Sequence, residues 1–381
     1  MLNLYPGDRV SIISAGVDGQ VVGTGDGAAH GVPGERCVLV RHDGGDTVLP
    51  HYHGELRRLA PIGRAGAYEL PDLVYQRDPC PEPSLNPTLA IELLSRSPLH
   101  AATIHPRIGQ AREAERLDFD LGKAAHALVL EGEGALHVID AADYRSNAAK
   151  AARELAYAEG RIPVLAPRLV ELHEMAGAAV DQLGRHACGY IVGRDGARVR
   201  PVLAYPDVRG CWLRCRPDAL LVRDGVAELY GYTTTAGSAH PARWGARTLW
   251  GLGPDGELGR DVAAAFEARV ALAVLGVSRV VYRFVVQEQR PPFGLNVIEL
   301  GAVELGEAGF QVERAVAAWA ACIVSGQWVG YSGIIYQAQR PAWVAPALAT
   351  FVRMSALPDD PAREPPLDRA STDARLEAFL A

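Results

Sequence analysis

GCWLRCRPDALLVRDGVAELYGYTTTAGSAHP, residues 210–241, is the stretch from which the rest of the chain is read. Apolar and polar residues alternate on both sides of Arg223-Asp224-Gly225, and an Asp-Gly pair supplies the positive φ of a tight hairpin turn. The spacing predicts two antiparallel strands. Asp218 lies on the first arm and Thr233-Thr234-Thr235 closes the second, a layout in which paired strands can hold acidic groups over one metal ion. On the second arm, positions 229, 231 and 233 share one face by the two-residue period of a strand, and Glu228 points to the other.

Working outward, Asn86-Pro87 predicts a helix start, an N-cap followed by proline at the first helical position, with a bend at Pro98. Three further helices are expected before the hairpin, over DFDLGKAAHALVLEG, DYRSNAAKAARELAYAEG and APRLVELHEMAGAAVDQL. His126 projects from the first of these, with Lys123 one turn earlier on the same side. After the hairpin come a helix (DVAAAFEARVALAVLG), two strands (SRVVYRFVVQEQ and FGLNVIEL) and a long helix (AGFQVERAVAAWAACIVSG). Helices, hairpin, helix, strands and helix in that order describe an α/β sandwich.

The flanks differ in character. Residues 1–60 read as five short alternating segments divided by glycine-rich turns, an SH3-like β-barrel. His51-Tyr52-His53 places two imidazoles on one strand face there, in reach of a metal, with exposed surface as the plain alternative. Residues 61–85 carry five prolines and read as a linker, 86–345 as the main domain, and 346–381 as a proline-rich tail ending in a short helix.

At 381 residues and 49% hydrophobic content, the chain is long and apolar enough for a sizeable core. No apolar run reaches the roughly 18–20 residues of a membrane span, and the first residues lack the charge and apolar pattern of a signal peptide, so a cytoplasmic protein without a membrane partner is expected. The six cysteines have no metal or iron–sulfur spacing and read as buried thiols. A net charge of −7 advertises no nucleic-acid binding overall, though a local basic groove is compatible with it. Only Lys123 and Lys150 are lysines, so any mechanism needing one has two candidates.

Seven segments in order, SPLHAATIHPRIG, FDLGKAAHALVL, DYRSNAAKAARELAYAEGRIPVLA, GCWLRCRPDAL, YTTTAGSAHP, FVVQEQRPPFGLNVIEL and GQWVGY, resemble the exonuclease VIII (RecE-type) branch of the PD-(D/E)XK nucleases of phages and prophages. The resemblance spans about 84–345 and implies a restriction-endonuclease-like core with flanking helices. It further implies phosphodiester hydrolysis assisted by Mg²⁺ or Mn²⁺, DNA as partner, a single-strand annealing protein nearby, and a homo-oligomer.

Asp218 matches the family's first metal carboxylate and His126 its helix histidine near the metal. The second arm departs from the pattern: Gly231 stands where a second carboxylate belongs and Thr233 where the lysine belongs. Ala263 and Glu267 replace a glutamine and a tyrosine, and Val199 or Arg200 occupies an upstream acidic position. One carboxylate and one imidazole make a poor site for Mg²⁺, which favours several oxygen ligands.

Three readings are compatible with this pattern. The chain is a catalytically silent member that keeps the fold and its DNA groove; or an active exonuclease with Lys123 and Glu267 as relocated groups; or a non-catalytic interaction scaffold. Arg214 and Arg216 either line a phosphate-binding face or pair with acidic neighbours.

Overall fold

A computed structural model describes residues 4, 6–26, 36–109, 121–186, 191, 197–251, 258–331 and 335, and the fold is described for these alone. The chain divides into Met1–Tyr331 and Ser332–Ala381, and the described strands and helices belong to the first unit. The expected tail, 346–381, lies outside the described residues.

The N-terminal strands are β1 (Arg9–Ile12), β2 (Val17–Asp26), β3 (Arg36–His42), β4 (Val48–His51) and β5 (Leu56–Arg58). They form an antiparallel sheet in the order β4-β3-β2-β1-β5 over a small core of Val10, Ile12, Val21, Val38 and Val40. The five strands do not close into the expected barrel: β4 and β5 remain its two edges. Arg58 ties this sheet to the next segment of the chain, contacting Asp8 and donating to the Asp78 carbonyl at 2.8 Å.

The segment read as a linker is built into the fold instead. It supplies β6 (Gly66–Tyr68) and α1 (Asp72–Gln76), and β6 pairs with a strand far along the chain, Val202 lying opposite Tyr68. Next come α2 (Pro87–Ser95) and α3 (Pro98–Ile104). The bend at Pro98 is a full break, because Asn86 Oδ1 caps the first helix at Leu89 N (2.9 Å) and Ser97 starts the second. The chain then runs through α4 (Leu121–Glu131), β7 (Leu136–Ile139), α5 (Asn147–Ala158), β8 (Ile162–Leu165) and α6 (Leu169–Arg185), with β7 and β8 a parallel pair.

The hairpin region spreads over two sheets. β9 (Arg198–Val199) leads into β10 (Val202–Pro206) and β11 (Trp212–Cys215), which with β6 form a three-stranded sheet. β12 (Ala219–Arg223) and β13 (Val226–Thr235) are the hairpin proper, joined by Asp224 (φ 48°) and Gly225 (φ 73°), a turn with both central residues left-handed. The first arm thus ends at Arg216-Pro217, where proline offers no N–H to continue the ladder, so Trp212 to Cys215 lie in a different sheet from Ala219 onward.

The chain continues through α7 (Pro241–Trp244), α8 (Arg260–Leu275), β14 (Arg279–Glu288), β15 (Leu295–Leu300) and α9 (Ala302–Ser325). The central sheet runs β15-β14-β13-β12-β9, parallel only between β13 and β14. Leu220, Leu229, Phe284 and Val286 pack on one side with α2, α8 and α9. Leu221, Tyr230, Tyr232 and Val285 pack on the other with α4 and α6. The result is a mixed α/β structure with helices on both faces of the sheet. α8 is buried nearly all round, from Val262 to Ala271, as expected of a helix apolar on every side.

No helix among the described residues is long and apolar enough to cross a membrane. The described cysteines, Cys37, Cys80, Cys211, Cys215 and Cys322, are buried and unpaired.

Candidate functional site

Asp218 sits one residue before β12, pinned from both sides: its N–H donates to Tyr230 O and its carbonyl accepts from Arg200 N, each at 3.0 Å. Extending the Ala219–Tyr230 pairing by one residue sets Asp218 opposite Gly231, on the sheet face that looks at α8. His126 reaches over from α4 and places Nε2 3.0 Å from Asp218 Oδ1. The other carboxylate oxygen accepts the Tyr232 N–H at 2.8 Å. Burial pushes this carboxyl up, but His126, the Tyr232 amide and Arg200 outweigh it and hold it below the usual range.

Gly231 is not an open gap. A Cβ built there would lie 2.8 Å from Tyr282 Oη and 3.5 Å from Phe284 Cδ1. Tyr282 stands on β14 opposite Leu229, buried, and its hydroxyl donates to Glu267 Oε2 at 3.0 Å. Glu267 projects from α8 into the same space. Burial, and then the charge of Asp218, favour the protonated form and push its carboxyl up to about 8, against the pull of the Tyr282 hydroxyl. Burial and the neighbouring Glu267 and Asp218 also drive the Tyr282 hydroxyl well above its ordinary range.

Thr233 is buried further along β13, and Ala263 lines the cleft one turn before Glu267. Glu228 turns to the opposite face, where Tyr230 donates to it at 2.8 Å and Arg283 pairs with it.

Asp218, Gly231, Tyr232, Ala263, Glu267 and Tyr282 line a cleft of about 330 Å³ together with Asp72, Arg200, Arg216 and Arg260. Arg200 has φ +50°, uncommon for a side-chain-bearing residue, and its guanidinium pairs with Asp72 (2.7 Å) and Glu131. Arg216 pairs with the same Asp72 and donates to the carbonyls of Arg200 (3.1 Å) and Leu70 (3.2 Å). Two guanidinium charges are therefore matched by two carboxylates, of which Asp72 lines the cleft.

Arg214 has no place on a phosphate-binding face. It is buried, its Nε 3.1 Å from Asp78 Oδ1 and its guanidinium over the Tyr75 ring. Asp78 also contacts Arg107 (3.6 Å) and His105 (3.2 Å) and accepts from Ser84 Oγ at 2.6 Å. Against burial, Arg214, His105 and Arg107 hold its carboxyl far below the usual range. Lys123 is exposed on α4 and does not line the cleft.

The Mg²⁺ or Mn²⁺ that the family resemblance implies finds no fitting donor set here. Both Asp218 oxygens are engaged, Glu267 is buried and tied to Tyr282, and among the described residues no three His, Cys, Asp or Glu side chains gather as metal ligands. Sequence reasoning missed Asp72 and Tyr282. The first lay in the presumed linker, and only the β13–β14 register brings the second beside Gly231.

No family profile and no curated protein matches the sequence. Among solved structures, the chain is similar to a provisionally assigned exonuclease from Eubacterium rectale, with 8% identity, a TM-score of 0.39, and coverage of 70% of this chain and 93% of that one. The protein SSO0001 is a weaker likeness, at 11% identity and a TM-score of 0.21, covering 40% of this chain and 70% of its own.

Proposed function

We propose that this chain is an exonuclease-VIII-like protein of the PD-(D/E)XK fold and the phage or prophage recombination type, which engages DNA without cleaving it. The observation that carries the reading is the Tyr282 hydroxyl, which fills the space above Gly231 where a second metal carboxylate would have to stand. The pairing of Asp218 with His126 fits the family's pattern, and the Thr233 position offers no lysine. The partners are DNA, a single-strand annealing protein and further copies of the chain, in the cytoplasm.

The test is fluorescence anisotropy of labelled linear DNA across a salt series. A protein that holds the phosphate backbone loses affinity along a straight line of log K against log salt. Salt-independent or absent binding would overturn the DNA-engaging part of the reading.

A second reading rests on Glu267, which faces Asp218 across the cleft. If Glu267 is a relocated catalytic carboxylate, the native protein degrades DNA, and Glu267→Gln and Asp218→Ala each abolish that activity.

A further inference from the structure

Away from the cleft, the N-terminal sheet brings two imidazoles together. His42 ends β3 and His51 ends β4, and the pairings Val40–Leu49 and Val38–His51 put them on one face. Their Nε2 atoms stand 2.9 Å apart, with ring centroids 5.1 Å apart and planes within 25°. Two imidazole nitrogens this close can share a single proton, or both can turn their lone pairs on one cation.

Glu55 backs this pair. Its Oε2 accepts the Tyr52 N–H at 3.0 Å and lies 3.7 Å from His51 Nδ1, the far side of the ring. A carboxylate behind a histidine orients a metal-binding imidazole when it accepts the ring N–H, and Glu55 stands a few tenths of an ångström beyond that contact.

We propose that His42 and His51 form a two-histidine site for a borderline divalent transition-metal ion of the Zn²⁺ class, with Glu55 as the positioning residue of His51. With metal–nitrogen bonds of about 2.0–2.1 Å and a tetrahedral angle, the two nitrogens stand about 3.3 Å apart, a small opening from their present separation. Among the described residues no third protein ligand joins them, so the remaining positions go to water. Imidazole suits Zn²⁺, Cu²⁺ and Ni²⁺, whereas Mg²⁺ favours oxygen ligands, so this site is chemically distinct from anything the cleft would hold. His53, two residues beyond His51, sits on the next helical turn and is not part of the pair.

The test titrates the full chain with Zn²⁺ by calorimetry and records the electron paramagnetic resonance of the first equivalent of Cu²⁺. One equivalent of Zn²⁺ is expected to bind. His42→Ala and His51→Ala should each weaken it at least tenfold, His53→Ala should leave it unchanged, and Glu55→Gln should weaken it about tenfold. The Cu²⁺ spectrum should show two coordinated nitrogens in the native protein and one in each single variant. Binding that survives both His42→Ala and His51→Ala, or a native spectrum with fewer than two nitrogens, would overturn the proposal, and the native spectrum decides even if a variant fails to fold.

Discussion

Replacing Gly231 by alanine adds one methyl group where the structure has no room for it. The new Cβ would meet Tyr282 Oη at 2.8 Å, where ordinary contacts begin near 3.4 Å. Tyr282 cannot swing to solvent, because its ring is buried beside Phe284 and its hydroxyl is held by Glu267. Overpacking of this kind costs about 1–3 kcal/mol, and a displaced hydroxyl leaves the buried Glu267 carboxyl short of a partner. We expect Gly231→Ala to lose about 2–3 kcal/mol in urea unfolding. In a Tyr282→Phe background the obstructing oxygen is gone, and the same change should cost less than about 1 kcal/mol, a coupling of at least ~1 kcal/mol in a double-mutant cycle. A Gly231→Ala protein within about 0.5 kcal/mol of the native one, or strictly additive effects, would refute the idea that Tyr282 fills the vacated position.

Glu267 has a folded value near 8, well above an unfolded glutamate, so the folded state binds the extra proton and stability falls as pH rises through the window between them. Glu267→Gln should remove up to roughly 1.4 kcal/mol of decline per pH unit in that window; parallel urea-unfolding curves for the two proteins would count against the assignment. Arg214→Ala strips the buried Asp78 of its closest guanidinium and should cost about 3–5 kcal/mol in urea unfolding, far more than the loss of an exposed arginine. Arg200→Ala should leave Asp72 paired with Arg216 and cost less than Arg214→Ala, since its side chain is only partly buried; the same unfolding series ranks the two.

What could be read from the sequence was local. The Asp224-Gly225 turn and the Asn86-Pro87 helix start follow from the conformations those residues favour, and both stand where expected. The convergence of His126 and Asp218 came from the family resemblance, since no spacing rule joins residues on a helix and a strand so far apart in the chain. The strand break before Asp218 was signalled by Pro217 but overridden by the alternation on either side of it.

Partners distant in the chain were out of reach. Arg214 meets Asp78 across 136 positions, and that aspartate lies in a proline-rich stretch that resembled a linker. Sequence adjacency likewise drew attention to His51 and His53, whereas the fold brings His42, on the same face of the neighbouring strand, against His51. The filling of Gly231 by Tyr282 depends on how the parallel β13–β14 pair leans, and no residue pattern announces it.

Incubating linear double- and single-stranded DNA with the native protein in Mg²⁺ and in Mn²⁺, beside Asp218→Ala, tests the silent cleft most directly. The account predicts no degradation by either protein; activity is expected only once Gly231→Asp and Thr233→Lys are combined with Tyr282→Phe to clear the space. Degradation by the native protein that disappears in Asp218→Ala would contradict it.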